Sequence, residues 1–151
     1  DAYRREPMDW YAAEEGPDQA DWFTPDDRWN GPDDGISVEE QAGDPDSLLN
    51  HWRTVIAARE SNPALARGEI GFPDFTASGQ GGWVVSRTHG QEWALAFFNF
   101  SGTEIEITLV QAPFEAASPS DLISGVALPP ISAGQPYSVT LPPASAIIAA
   151  P

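Results

Sequence analysis

Residues 44–65 read DPDSLLNHWRTVIAARESNPAL and form the one long, strongly periodic stretch of the chain. Leu48, Leu49, Trp52, Val55 and Ile56 follow one another at helical spacing, which gathers them on a single face of an amphipathic helix. Asn50, Arg53, Glu60 and Ser61 take most of the other side. Asp44 is expected to cap the N-terminus by accepting amide hydrogens of the first turn, with Pro45 at the first helical position, where no donor is needed. Asp46 adds negative charge at the positive end of the dipole. The pattern should stop at Asn62, because the residue before Pro63 is biased away from the α region. Ala64 to Arg67 leaves room for a further turn before Gly68, read as a left-handed cap.

The whole chain has 151 residues, 41% of them hydrophobic, enough for one ordinary domain or for a small domain plus a piece of another. Its 23 acidic residues face seven arginines and no lysine, for a formal charge of -16. That balance argues against nucleic acid or an anionic membrane as partner. The acids crowd into the first 46 residues, and a solvated acidic face is the simplest reading of them. Without cysteine there is no disulfide, thiolate metal site or cysteine nucleophile, and the compartment is left open. No run approaches the ~18 apolar residues that a bilayer span needs. The chain opens on Asp1 with no signal peptide, so it is read as a piece of something longer.

Before the helix, residues 1–43 hold Tyr3, Trp10, Tyr11, Trp22 and Trp29, while prolines at 7, 17, 25 and 32 and glycines at 16, 31, 35 and 43 break any period. Aromatic content of this kind predicts an ordered loop, because disorder is normally poor in aromatics. A loop that long with no elements of its own is usually functional or packed against something large.

After Gly68 the texture changes. From Trp83 onward, short apolar runs alternate with turn signals: Trp83 to Ser86, then His89-Gly90 as a hairpin turn, then Glu92 to Phe100. Glu104 to Val110 alternates, with Ile105, Ile107 and Leu109 inward and Glu104, Glu106 and Thr108 outward. Runs at Asp121 to Ile123, Tyr137 to Leu141 and Ala146 to Ala149 complete about six to eight strands, the count of a small antiparallel β-sandwich. Pro113, Pro119, Pro129, Pro130, Pro142 and Pro143 belong at strand ends or in loops, since proline cannot donate to a ladder. Trp83 and Trp93 lie in alternating strands, where core packing is the expected role.

The residues carry little chemistry of their own. Paired carboxylates can run glycoside hydrolysis, but no motif here singles out a pair. Asp26, Asp27, Asn30, Asp33, Asp34 and Gly35 make an oxygen-rich loop that is the one candidate for Ca2+, without the alternate-position spacing of an EF-hand. No other cofactor is expected within the segment. His51 and His89 are far apart, with no acid or nucleophile pattern to complete a triad, and read as structural. Gly79-Gln80-Gly81-Gly82 follows no predicted strand into a helix, so it is not a phosphate loop.

Two spaced motifs do carry a resemblance. Arg5-Glu6-Pro7-Met8-Asp9-Trp10 resembles the Arg-x-Pro-Met-x-Trp signature that follows the eighth barrel strand in glycoside hydrolase family 13, the α-amylase and α-glucosidase superfamily. Asp46 to Leu65 is similar to the last barrel helix of that family, Asp-Ser-Leu-Leu-x-x-Tyr-x-x-Leu-Ile-x-Leu-Arg-x-x-x-Pro-Ala-Leu, with Trp52 for the usual tyrosine and Val55 and Ala58 for leucines. Trp83 to Arg87 and Leu95 to Ser101, which ends Asn99-Phe100-Ser101, look like two strands of the family's domain C. Residues 102–151 match in texture only.

The resemblance implies an α+β segment: the long loop (1–43) and last helix (about 44–61) of a TIM-type (β/α)8 barrel within residues 1–67, then a domain C β-sandwich at 68–151. It implies a parent that is a retaining hydrolase of α-glucosidic bonds in starch, malto-oligosaccharides or related α-glucosides. The parent's catalytic carboxylates would lie upstream of Asp1, leaving this segment inactive alone, with the barrel as its partner. The loop would emerge at the barrel face where active sites are built, which makes Arg5, Trp10 and Trp22 candidates for substrate-adjacent positions. The competing reading is a non-catalytic carbohydrate-binding or structural β-sandwich with a helical arm. Without the barrel the helix stripe is more than a small sandwich can cover, so the isolated chain should expose an apolar patch above the few hundred Å2 usual for a monomer and self-associate or swap.

Overall fold

A computed structural model describes residues 7–20 and 31–151. The chain divides into two compact units, Asp1–Val55 and Ile56–Pro151.

In the first unit, a short helix α1 (Val38–Gly43) is started by Ser37 and Glu40. The Ser37 hydroxyl accepts from the Glu40 amide while the Glu40 carboxylate accepts from the Ser37 amide, a reciprocal capping box. This element lies inside the stretch expected to have none, and the signal for it, Ser-x-x-Glu, stands in the sequence. Helix α2 (Leu48–Ser61) follows. It begins three residues later than the Asp44 cap predicted, because Asp44 serves the turn before it: its carboxylate accepts from Asp46 N at 2.9 Å and its carbonyl from Ser47 N at 3.2 Å. Ser47 is the residue whose hydroxyl accepts from Asn50 N, at 3.2 Å, in the first turn of α2. Asp44-Pro45-Asp46 is therefore turn chemistry rather than helix start.

The second unit begins within α2 and continues with α3 (Pro63–Arg67), capped by Asn62, whose side chain accepts from Ala64 N and Leu65 N at 2.9 and 3.2 Å. Gly68 closes α3 by donating to the Ala64 carbonyl, at 2.8 Å. Its backbone is extended, at φ -70° and ψ 159°, not left-handed as the sequence reading held. Glycine is needed for space: a Cβ would fall 2.4 Å from the Ala64 carbonyl oxygen and 2.6 Å from that of Thr88.

Strands β1 (Glu69–Gly71), β2 (Phe75–Ala77), β3 (Gly82–His89), β4 (Glu92–Asn99), β5 (Ile105–Leu109), β6 (Ser120–Asp121), β7 (Tyr137–Leu141) and β8 (Ser145–Ala150) follow. One sheet has the order β1-β3-β4-β8-β6 and the other β2-β5-β7, with antiparallel pairing throughout. This is the expected sandwich, with β1 and β2 added before Trp83. The β3–β4 hairpin pairs His89 with Glu92, so its turn is Gly90-Gln91, with Gly90 at φ 63°.

Alternation sets the core. Ile105, Ile107 and Leu109 from β5 and Tyr137, Val139 and Leu141 from β7 are buried and meet Val84, Leu95 and Phe97 of the facing sheet. Trp93 belongs to this core, stacked on Phe114 at 4.9 Å between ring centroids. Trp83 does not: it is half-exposed, meeting Phe72 edge-on at 6.4 Å. Both tryptophans were expected inside, but they stand on opposite faces of their sheet. Strand β4 is buried on both faces, since α3 packs on β3 and β4 and Ala94 and Ala96 leave room for it.

Candidate functional site

In the first unit, the segment around Trp10 is held by backbone bonds to α1. Val38 N donates to the Asp9 carbonyl at 2.9 Å and Glu39 N to the Trp10 carbonyl at 3.0 Å. Trp10 N donates to Gln19 Oε1 at 3.1 Å, and Ala12 N to Glu39 Oε2 at 3.0 Å. Gln41 ties α1 to α2: its Oε1 accepts from Leu49 N at 3.1 Å, while its carbonyl accepts from Ser47 Oγ at 2.6 Å and Asn50 Nδ2 at 2.9 Å.

These bonds frame an open groove of about 630 Å³ lined by Pro7, Met8, Asp9, Ile36, Val38, Gln41, Leu48, Leu49 and Trp52. Its walls are apolar, and the exposure is unusual for such side chains: Leu48 66%, Met8 60%, Trp52 57% and Ile36 49%. Ile56 continues the stripe at 50%. Asp9 is the single carboxylate in the lining among the described residues, which offer surface for another apolar layer rather than a pair of acids for chemistry.

The acids nearby organise backbone. The Asp34 carboxylate accepts from Gly31 N at 2.8 Å and Ile36 N at 3.0 Å, and Glu40 accepts from Gly35 N at 2.8 Å. The Ser37 hydroxyl, donating to Glu40 at 2.6 Å, is the largest of the bonds that hold the Glu40 carboxyl below its ordinary range. Among the described residues no group of three or more His, Cys, Asp and Glu gathers as a metal cluster. Asp33, Asp34 and Gly35 of the oxygen-rich loop are described, whereas Asp26, Asp27 and Asn30 lie outside the described residues. So do Arg5 and Trp22; of the three substrate-adjacent candidates only Trp10 is described, and it is half-exposed. Both His51 and His89 are exposed. The Gly79 to Gly82 turn leads into a strand.

In the second unit, the Asn99-Phe100-Ser101 motif is a structural pin. Asn99, 1% exposed, donates through Nδ2 to the carbonyls of Thr103, Leu141 and Pro142 at 2.8, 3.2 and 2.7 Å. Its Oδ1 accepts from Ser101 N and Ser101 Oγ at 2.9 and 2.7 Å. Asp121, also buried, accepts from Ile148 N at 2.9 Å and Ser124 Oγ at 2.6 Å, fastening the turn after β6 to β8. These groups are saturated by the fold and have no capacity left for substrate. No helix among the described residues is long and apolar enough to cross a membrane.

Comparison with known proteins places these features. Residues 84–148 match the family model described as the maltogenic amylase C-terminal domain. The chain is 45% identical over 65 residues to a probable alpha-glucosidase of Rhizobium meliloti, covering 43% of this chain and 11% of that protein. It is 30% identical over 126 residues to an alpha-glucosidase of Saccharomyces cerevisiae, covering 80% of this chain and 20% of the relative. In fold it is similar to the crystal structure of an alpha-amylase from H. orenii, with a TM-score of 0.67 and 22% identity over 97% of this chain and 28% of that one. The chain thus spans a fifth or less of the length of these curated relatives.

Proposed function

The chain belongs to glycoside hydrolase family 13 as a C-terminal segment, and from that membership we propose that it completes a retaining hydrolase of α-glucosidic bonds whose catalytic carboxylates stand on a preceding (β/α)8 barrel. In this reading residues 1–67 close the barrel, with the loop 1–43 at the rim of the cleft and α2 as its last helix, and residues 68–151 are domain C. The observation that carries it is the apolar stripe Leu48, Trp52 and Ile56, left exposed, with Leu48 and Trp52 lining one groove with Met8 and Ile36. A stripe of that width on one helix is built to be covered by a further layer.

Starch, malto-oligosaccharides or related α-glucosides are the substrates of the parent, and Arg5, Trp10 and Trp22 are the residues of this segment nearest to them. The hydrolysis itself needs two carboxylates about 5 Å apart, one acid and one nucleophile, which the barrel supplies. What this segment contributes is position: hydrogen bonds from α1 to the Asp9 and Trp10 carbonyls hold the Pro7–Trp10 strip in one conformation.

The test is turnover of maltose, malto-oligosaccharides and 4-nitrophenyl α-glucoside by the longest natural polypeptide carrying this chain, with the product anomer followed by NMR. Release of α-glucose is expected from the parent and none from these 151 residues alone. A parent that turns over no α-glucoside, or a segment that does so by itself, would overturn the proposal.

A further inference from the structure

The loop that follows Trp10 is closed on itself more tightly than a plain connection needs. Glu14 N donates to the Tyr11 carbonyl at 2.9 Å, Gln19 N to the Gly16 carbonyl at 3.2 Å, and Tyr11 Oη to the Pro17 carbonyl at 3.2 Å. The Tyr11 ring lies where a Cβ on Gly16 would stand, so a larger residue there would push the ring aside. Glu14 and Asp18 hold left-handed backbone, at φ 57° and 64°, a conformation disfavoured for residues with a Cβ. The chain turns back through these residues, and Gln19 arrives beside Trp10.

What arrives is a carboxamide, one acceptor and one donor side by side. Gln19 Oε1 accepts from Trp10 N at 3.1 Å, and Gln19 Nε2 donates to the Met8 carbonyl at 3.3 Å. These two groups are not the ones that α1 holds: its bonds go to the carbonyls of Asp9 and Trp10 and, through the Glu39 carboxylate, to Ala12 N. The Met8–Trp10 strip is thus gripped by a helix end and by one side chain. Its own side chains part company, because Met8 lines the groove with α2 whereas Trp10 is not in that wall and stays half-exposed. An exposed indole on a fixed backbone is a flat apolar face with a set direction.

We propose that Gln19 is a positioning residue of the parent enzyme: by clamping the Met8 carbonyl and the Trp10 amide, it fixes the Trp10 indole as a stacking wall for the α-glucoside. This rests on the reading of residues 1–43 as the rim of the cleft, and adds the side chain that sets the wall and the kinetic constant it governs. A wall away from the reacting bond gives binding shared by ground state and transition state. Its loss therefore raises KM and leaves kcat.

In the full-length parent, Gln19→Ala should raise KM for malto-oligosaccharides roughly three- to tenfold, the range of one aromatic contact, with kcat within about twofold of wild type. Gly16→Ala, which displaces the Tyr11 ring and loosens the return of the loop, should move KM the same way without altering either partner of the clamp. Trp10→Ala should raise KM as well, and Gln19→Ala added to it should do nothing further, because the clamp acts through the indole. Amide exchange at Trp10 should be slow in the wild type and accelerate in Gln19→Ala, with or without substrate. In an active parent, a KM unmoved by Gln19→Ala, a loss confined to kcat, or a KM effect that adds to that of Trp10→Ala would overturn the positioning role. Unchanged exchange at Trp10 would overturn the clamp itself. A parent that turns over no α-glucoside fails the function and takes the stacking wall with it, while the exchange measurement still decides the clamp.

Discussion

The strand β5 and the helix α2 are both amphipathic, and they meet opposite fates. In β5 the apolar set Ile105, Ile107 and Leu109 is buried completely, because β7 pairs beside it and the larger sheet closes over it. In α2 the equivalent set Leu48, Trp52 and Ile56 is half-exposed or more. Periodicity is the same kind of statement in each case, that certain residues share a face. Burial is a statement about a second layer, and only the sandwich contains its own. The difference teaches which part of this chain stabilises itself and which part, in the proposed reading, is a contact surface for the rest of the parent.

That contrast can be broken most directly by truncation. Phe97→Ala is expected to cost about 3–5 kcal/mol in denaturant unfolding of this chain, because a fully buried ring leaves a cavity. Trp52→Ala should cost within about 1 kcal/mol in the same measurement, its ring being 57% exposed. A Trp52 cost equal to that of Phe97 would mean that α2 is already covered. In the parent, the proposed barrel contact predicts that the Trp52 cost rises toward that of Phe97.

Asn99→Ala sharpens the self-sufficiency of the sandwich. Removing Nδ2 strands carbonyls of Thr103, Leu141 and Pro142, so a loss of about 2–4 kcal/mol is expected at the global unfolding midpoint. A loss below about 1 kcal/mol would show that water replaces the amide and that the pin is not structural.

Gly68→Ala should cost about 1–3 kcal/mol, since the two carbonyl oxygens that the new methyl would meet are backbone and cannot swing away. Gly90→Ala, in open space but at φ 63°, should cost about 1 kcal/mol. Reversal of that order, read from thermal melts, would place the strain at the hairpin instead of at the end of α3.

Smallest are the pH effects, and they differ between the regions. Burial raises the Tyr137 hydroxyl above its ordinary value of about 10, and it has no hydrogen-bond acceptor. The folded sandwich therefore holds that proton more tightly than the unfolded chain, so stability is intact below pH 10 and falls as pH rises above it. Tyr137→Phe should flatten this alkaline loss. Glu40 shifts the other way: its folded carboxyl lies below the usual range, so the cap of α1 is complete above that range and loosens as pH falls through it. Amide exchange at Gly35 and Ser37 should accelerate on acidification in the wild type and lose that dependence in Glu40→Gln.

Much of the fold was legible in advance. The alternation of Glu104 to Val110 and of Tyr137 to Leu141 placed two strands, and the helical spacing of Leu48 to Ile56 placed α2. The candidate site was less legible. Trp10 is half-exposed, and Arg5 and Trp22 lie outside the described residues. The capping box that positions the Trp10 segment was written as Ser37 to Glu40 but hidden by the surrounding prolines and glycines.

By itself, the sequence determined the family, the sandwich and the stripe on α2, because residue periods and motif spacings are properties of the chain. Only the tertiary structure decided that Trp93 is core while Trp83 is surface, that Ser47 starts α2 in place of Asp44, and that Gly68 is required for closeness rather than for its φ. Each of those depends on what lies across a gap of a few ångströms, and a neighbour brought there by folding leaves no local mark in the sequence.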